Sequence, residues 1–337
     1  MSIAASAGLR LELARIFLPI RPRLDAVEKR LIQAVRCDDK RLSPAFDHLE
    51  GMKGKLIRPA LVFLTARAVG GVSRKHEVLA HSVELVHLAS LIHDDVVDRS
   101  SMRRGHESLN ARFGNERAIL IGDYLFAKGL ELLEELQDIE VFSRISRFIS
   151  DASIGELRQM GSEFDAENAE EQYYDYIRRK TAGLFALATC LSAKLSGAPL
   201  EIRERYREFG ESFGMAFQIA DDCSDLFGES SDEGKPVLQD FVEGFITLPI
   251  LLYFKSKGAG QYHKWRERIS GGDPAELARL GQELRDRELV LTCADKVSSF
   301  VQRAADSVAA LPSSSNYPLV SMAEVVLKKL SVLVSRI

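Results

Sequence analysis

The chain has 337 residues, of which 46% are hydrophobic and 28% charged, and its formal net charge is −4. This is the composition of a globular protein with a large core, and nothing global argues for nucleic acid. No stretch approaches the ~20 uncharged apolar residues of a membrane span. Arg10, Glu12 and Arg15 interrupt the apolar residues near the N-terminus, so no signal peptide is expected.

In chain order, Leu24 to Val35 reads as an amphipathic helix and Pro59 to Val69 as an apolar one. Glu77 to Val97 carries Leu79, Val83, Val86 and Ser90 at helical spacing. Ala118 to Leu136, Arg144 to Met160, Gln172 to Leu195 and Ile202 to Leu226 repeat the pattern. A last helix is expected over Leu319 to Val334, after the loop Ser313 to Ser315. Breakers separate the segments: Gly70-Gly71, Gly105, Gly114, Gly197-Ala198-Pro199, Gly228, and Gly234 to Pro236. Strand-like alternation is missing, and no linker or composition shift divides the chain. One all-α domain over residues 1–337 is therefore expected. Cys37, Cys190, Cys223 and Cys293 are spaced too widely for a zinc site or a disulfide framework. They read as small core residues, which fits a reducing cytoplasm.

Two of these segments end in the same acidic pentad, Asp94-Asp95-Val96-Val97-Asp98 and Asp221-Asp222-Cys223-Ser224-Asp225. Helical residues four apart share a face, about 5–6 Å from each other. Asp94 can therefore point with Asp98, and Asp221 with Asp225. A single such pentad reads equally well as a solvated helix end. Two copies, each running out of an apolar helix, weigh against that. Carboxylates clustered in a low-dielectric setting repel one another unless a cation neutralises them. Mg²⁺ suits the pattern, because it takes one or two carboxylates and completes its shell with waters and phosphate oxygens. The pentads are too far apart for a solenoid repeat but can face each other across a helical bundle.

Arg103 and Arg104 follow the first pentad directly, and arginine matches phosphate oxygens bidentately. Lys55, Arg58, Lys180 and Lys235 stand at helix ends or loops beside glycine or proline. Each alone reads as a surface charge; together with the aspartates they suggest a polyphosphate held from both sides. His87 lies two helical turns before Asp94 on the same face, whereas His93 lies off it.

Several motifs stand in order: Gly54-Lys55 with Arg58-Pro59, His87 before the first pentad, Arg103-Arg104-Gly105, and Gly122-Asp123-Tyr124-Leu125. Gly155-Glu156 with Gln159, Lys180-Thr181-Ala182, and Phe217 to Ala220 before the second pentad continue the series. Gly234-Lys235-Pro236, Asp240 and Thr247-Leu248-Pro249 close it. The ordered set resembles the trans-type polyprenyl diphosphate synthases of the polyprenyl synthetase family, most nearly those making octaprenyl and other medium-to-long chains. The motifs cover residues 53–249, with a weaker but compatible helical C-terminus.

The resemblance implies the isoprenoid (terpenoid) synthase fold, a helical bundle with a central cavity, usually as a homodimer. It implies Mg²⁺-dependent, head-to-tail condensation of isopentenyl diphosphate with an allylic prenyl diphosphate. Asp94 and Asp98 would bind two Mg²⁺ ions and Asp221 a third, with Asp222 and Asp225 in the same acidic group. Arg103, Lys180 and Lys235 would contact the allylic diphosphate. Lys55, Arg58, His87 and Arg104 would hold isopentenyl diphosphate, and Thr181 and Gln218 would line the reacting centre. Ala89 and Ser90, with Val86 a turn deeper, would form the wall of the product tunnel. None is aromatic, which points to a product longer than farnesyl. A plug from Phe126 or Leu130 would shorten it, and close helix packing is the other reason for small residues there.

The chain also departs from the family pattern. Phe245 stands where a lysine near the diphosphate is usual, Leu238 and Lys53 replace glycines, and Leu56 replaces a basic residue. Two alternatives follow: a lyase that ionises and cyclises one prenyl diphosphate, and a non-catalytic subunit of a heteromeric synthase. The full second set of basic residues argues against the first, and the two intact pentads against the second.

Overall fold

A computed structural model describes residues 2–34, 39–51, 54–160, 169–227, 246–269, 273–311 and 316–334. Lys53, Lys235, Leu238, Asp240, Phe245 and Cys37 lie outside these residues. The described chain is almost entirely helical. The N-terminal half comprises α1 (Ser2–Phe17), α2 (Arg21–Ala34), α3 (Ser43–Glu50), α4 (Ile57–Val69), α5 (Arg74–Val97), α6 (Leu109–Phe113), α7 (Asn115–Leu132) and α8 (Ile139–Met160). There follow α9 (Ala169–Ile177), α10 (Gly183–Leu195), α11 (Leu200–Phe227), α12 (Leu248–Lys257), α13 (Ala259–Ile269), α14 (Pro274–Leu284), α15 (Arg287–Ala309) and α16 (Tyr317–Val334). Among the described residues no helix is long and apolar enough to cross a membrane.

Helices α4, α5, α10 and α11 form the centre: α4 packs on α5 and α10, α10 on α11, and α11 on α15, while α7 covers α5. Residues 78–86 of α5 are buried on every face of the helix, as expected of a helix enclosed by its neighbours. A second, smaller core joins Ala45 and Phe46 of α3 to Ala89 and Ile92 of α5 and Leu125 of α7. At the α10–α11 crossing, a Cβ on Gly214 would lie 2.5 Å from the Cα of Ala182. Only glycine permits that approach, which brings the start of α10 against the middle of α11.

The expected helices are present, with three differences. First, Met102–Arg103 and His106–Glu107 form a two-stranded hairpin, too short to leave an alternation in the sequence. Its turn residues Arg104 and Gly105 have φ of 52° and 79°, the positive pair that a tight two-residue turn requires. Second, the segment read as one helix over Gln172 to Leu195 contains a π-helical turn at Arg178–Ala182 between α9 and α10. Third, α1, α3, α6 and α12 to α15 lie outside the segments whose periodicity predicts a helix. Cys190, Cys223 and Cys293 are buried free thiols.

Candidate active site

Both acidic pentads lie at the C-terminal ends of central helices. Asp94 and Asp95 occupy the last turn of α5, with Asp98 as its C-cap. Asp221, Asp222 and Asp225 occupy the last turns of α11. The helix dipole makes this the unfavourable end for a carboxylate, so the sequence places negative charge where only a cation would stabilise it.

Basic side chains answer part of that charge. Lys180 Nζ lies 3.3 Å from Asp94 Oδ1 and 2.7 Å from Glu156 Oε2. Tyr176 donates to the same Glu156 at 3.3 Å, and its ring lies 5.4 Å from the Lys180 ammonium. Burial disfavours the charge on Lys180, but Asp94, Tyr176 and Glu156 outweigh it and hold the pKa well above the ordinary value. Lys180 and Thr181 both sit in the π turn, a device often found at functional sites because it re-aims side chains within a helix. Arg103, expected at a diphosphate, pairs in this structure with buried Asp95: Nε lies 2.9 and 3.2 Å from the two carboxylate oxygens, and Nη2 also donates.

At the second pentad, Lys329 of α16 donates to Asp221 Oδ1 at 2.8 Å. Asp222 is buried and accepts from Gln218 Nε2 at 2.8 Å and from Tyr173 Oη at 2.5 Å. Both its oxygens are thus bonded within the protein. Asp222, expected among the acidic group at the metal, accepts from Gln218 here and orients it. Thr181 Oγ1 donates to Gln218 Oε1 at 2.8 Å, so the chain Thr181–Gln218–Asp222–Tyr173 is fixed from end to end. Burial and the Asp222 carboxylate keep the Tyr173 phenol protonated. Asp225 is exposed.

A separate cleft is lined by Gly54, Leu56, Glu84, His87, Leu91 and Arg104. Arg58 is buried with its guanidinium 4.2 Å from the centre of the Phe185 ring. Burial lowers Arg58 to about 10 against the pull of Glu84, and burial raises Glu84 despite Arg58 and Arg104. A Cβ on Gly54 would lie 3.1 Å from Arg104 Nη1 and 3.2 Å from Glu84 Oε1, so the missing side chain lets those groups converge. Burial, Arg58 and Arg104 push His87 well below its ordinary value, leaving a neutral imidazole beside two guanidinium groups. Lys55 is exposed.

Along α5, Val86 and Ala89 are fully buried and Ser90 half-buried, with its hydroxyl donating to His87 O at 2.8 Å. Ala89 belongs to the core shared with α3 and α7. Phe126 packs edge-on against His93, ring centroids 5.4 Å apart, and Leu130 packs against the core.

Among the described residues, no three His, Cys, Asp or Glu side chains already form a closed ligand group. The oxygen-only donors come in pairs, which suits Mg²⁺ arriving with phosphate oxygens of its own. Sequence reasoning missed Glu84, Tyr173, Tyr176 and Lys329. Glu156 had a signal in Gly155-Glu156; Lys329 had none, because its partner is distant in sequence.

A helical bundle carrying two aspartate clusters at the ends of central helices, beside a basic cleft, has the isoprenoid synthase fold. A family model described as polyprenyl synthetase matches residues 39–284. The chain therefore belongs to the polyprenyl synthetase family. It is 39% identical over 228 residues to heptaprenyl diphosphate synthase component 2 of Geobacillus stearothermophilus, covering 68% of this chain and 71% of that one. It is 38% identical over 216 residues to the chloroplastic solanesyl-diphosphate synthase 2 of Oryza sativa subsp. japonica, covering 62% of this chain. The chain spans about half of that protein's length, 54%. Among solved structures, it superposes with a TM-score of 0.86 on a polyprenyl synthase from Caulobacter crescentus CB15 complexed with calcium and isoprenyl diphosphate. Their identity is 28%, covering 94% of this chain and 97% of that one.

Proposed function

We propose that the protein is a prenyltransferase condensing isopentenyl diphosphate with an allylic prenyl diphosphate to give a longer all-trans polyprenyl diphosphate. One observation supports this reading: His87 and Arg104 line a cleft that no pentad aspartate lines, and buried Arg58 lies within electrostatic reach of His87. Elongation needs places for two diphosphates, whereas a cyclising lyase needs one.

Mg²⁺, held by Asp94, Asp98, Asp221 and Asp225, would neutralise the allylic diphosphate and make it a better leaving group. Lys180 and Arg103, with Lys235, hold that diphosphate. Lys55, Arg58, Arg104 and His87 hold isopentenyl diphosphate and aim its double bond. The Thr181 hydroxyl donates its hydrogen bond to Gln218 Oε1, so its lone pairs remain to face an electron-poor allylic carbon. Asp222 fixes the Gln218 amide by accepting from its nitrogen, which leaves the amide oxygen for Thr181. Among the described residues no side chain is assigned as a base, and the released diphosphate takes the proton.

The small residues Ala89 and Ser90, with Val86, form the tunnel wall and favour a product longer than farnesyl. Exposed Ile119, Leu120 and Tyr124 on α7 support a homodimer. The second reading, a subunit of a heteromeric synthase, draws on Phe245 and on a relative named as a component. The test is to incubate the pure protein with Mg²⁺, isopentenyl diphosphate and allylic primers of increasing length, and to weigh the products. Elongated diphosphates are expected. A cyclic hydrocarbon formed without isopentenyl diphosphate would favour the lyase, and inactivity with every primer the partner subunit.

A further inference from the structure

The leading aspartate of each pentad meets a lysine, and the two lysines come from distant parts of the chain. Lys180 reaches Asp94 from the π turn. Lys329 reaches Asp221 from α16, which packs on both α1 and α11. The neighbouring Lys328 ties α16 to Glu12 of α1. Helix α16 thus bridges the N-terminal helix and the second acidic cluster. Lys329 brings the second cluster a cation from another helix.

An ammonium bonded to a carboxylate oxygen weakens that carboxylate's hold on a divalent cation, because the two cations repel at such distances. We propose that Lys329 is a resident counter-cation of the second pentad. It competes with the metal for Asp221, so metal loading and the docking of α16 oppose each other. This rests on the reading of Asp221 as a metal ligand. The pair is graded to yield. Its side chains are 34% and 37% exposed, and an ion pair of that exposure is worth at most about fivefold in an equilibrium. That is enough to offset part of the charge at the carbonyl end of α11, and little enough for a metal to displace. By reciprocity, the metal must loosen α16 by the same factor that Lys329 weakens the metal.

The test uses Mn²⁺ as the probe, supplied with inorganic pyrophosphate as the source of phosphate oxygens, with protein-bound Mn²⁺ followed by electron paramagnetic resonance on the full chain. Lys329→Met is expected to bind Mn²⁺ about threefold more tightly than the wild type. Lys329→Arg, which keeps the charge, and Lys328→Met, which spares Asp221, are expected to match the wild type. Hydrogen exchange on the unmutated protein gives a second readout: Mn²⁺ should speed exchange in α16 around residue 329, and Asp221→Asn should abolish that response. Equal or weaker Mn²⁺ binding by Lys329→Met, or an α16 that ignores Mn²⁺, would overturn the role of Lys329 alone. Failure of every variant and of the wild type to bind Mn²⁺ would overturn the metal reading of the aspartates as well.

Discussion

Asp94 and Asp221 stand at the carbonyl ends of their helices, and each is met by a lysine ammonium. This is how the protein tolerates charge at the wrong pole of a helix until a stronger cation arrives. Asp94→Ala is expected to lower turnover by about a thousandfold or more, the scale of losing a principal electrostatic contact in an active site. Its thermal midpoint should fall, because buried Lys180 loses its leading counter-charge, which outweighs the relief of the helix dipole at the end of α5. Wild-type turnover would reject the metal assignment. The spacing of four within each pentad made Asp94, Asp98, Asp221 and Asp225 legible in the sequence. Lys180, Thr181 and Gln218 were legible through ordered motifs. Glu84, Tyr173 and Lys329 were not, because each is defined by a partner on another helix.

Helix α5 begins with a cap that makes the fold sensitive to acid. The Ser73 N–H donates to His76 Nδ1 at 3.0 Å, and Nε2 lies 3.1 Å from Ser192 O, which requires the Nε2–H tautomer. Protonating Nδ1 would break the cap. Burial, the largest cause, lowers the His76 pKa below its ordinary 6.5. The folded state therefore binds fewer protons than the unfolded chain below that value, and stability falls as pH drops from about 6.5 toward the folded pKa. His81 and His87 shift the same way and add to the slope. Denaturant midpoints measured from about pH 7.5 to about pH 5.5 should fall, by up to ~1.4 kcal/mol per pH unit for each such histidine. His76→Gln should flatten that slope; an unchanged slope would clear His76 of the role. Long apolar helices such as α5 and α11 were plain in the sequence. The π turn and the hairpin were not, since one extra residue per turn or a two-residue strand leaves no readable period.

At the scale of the whole molecule, the proposed product tunnel runs along α5. Ala89 is fully buried and pressed from the α3 and α7 side, so a larger side chain must push into the cavity or into that core. Ala89→Phe is expected to shorten the product and to lower stability by about 1–3 kcal/mol through overpacking. Product masses and a denaturant midpoint check the two effects, and unchanged product length would reject the tunnel wall at this position. The all-α architecture was legible from periodicity alone. The proposed site was legible only through motif order, because periodicity does not say which helix ends meet. The reading that joins the two clusters to the basic cleft is tested most directly by measuring diphosphate release with and without isopentenyl diphosphate. One diphosphate should appear per isopentenyl unit incorporated, and essentially none when isopentenyl diphosphate is omitted. Steady release from the allylic substrate alone would contradict it.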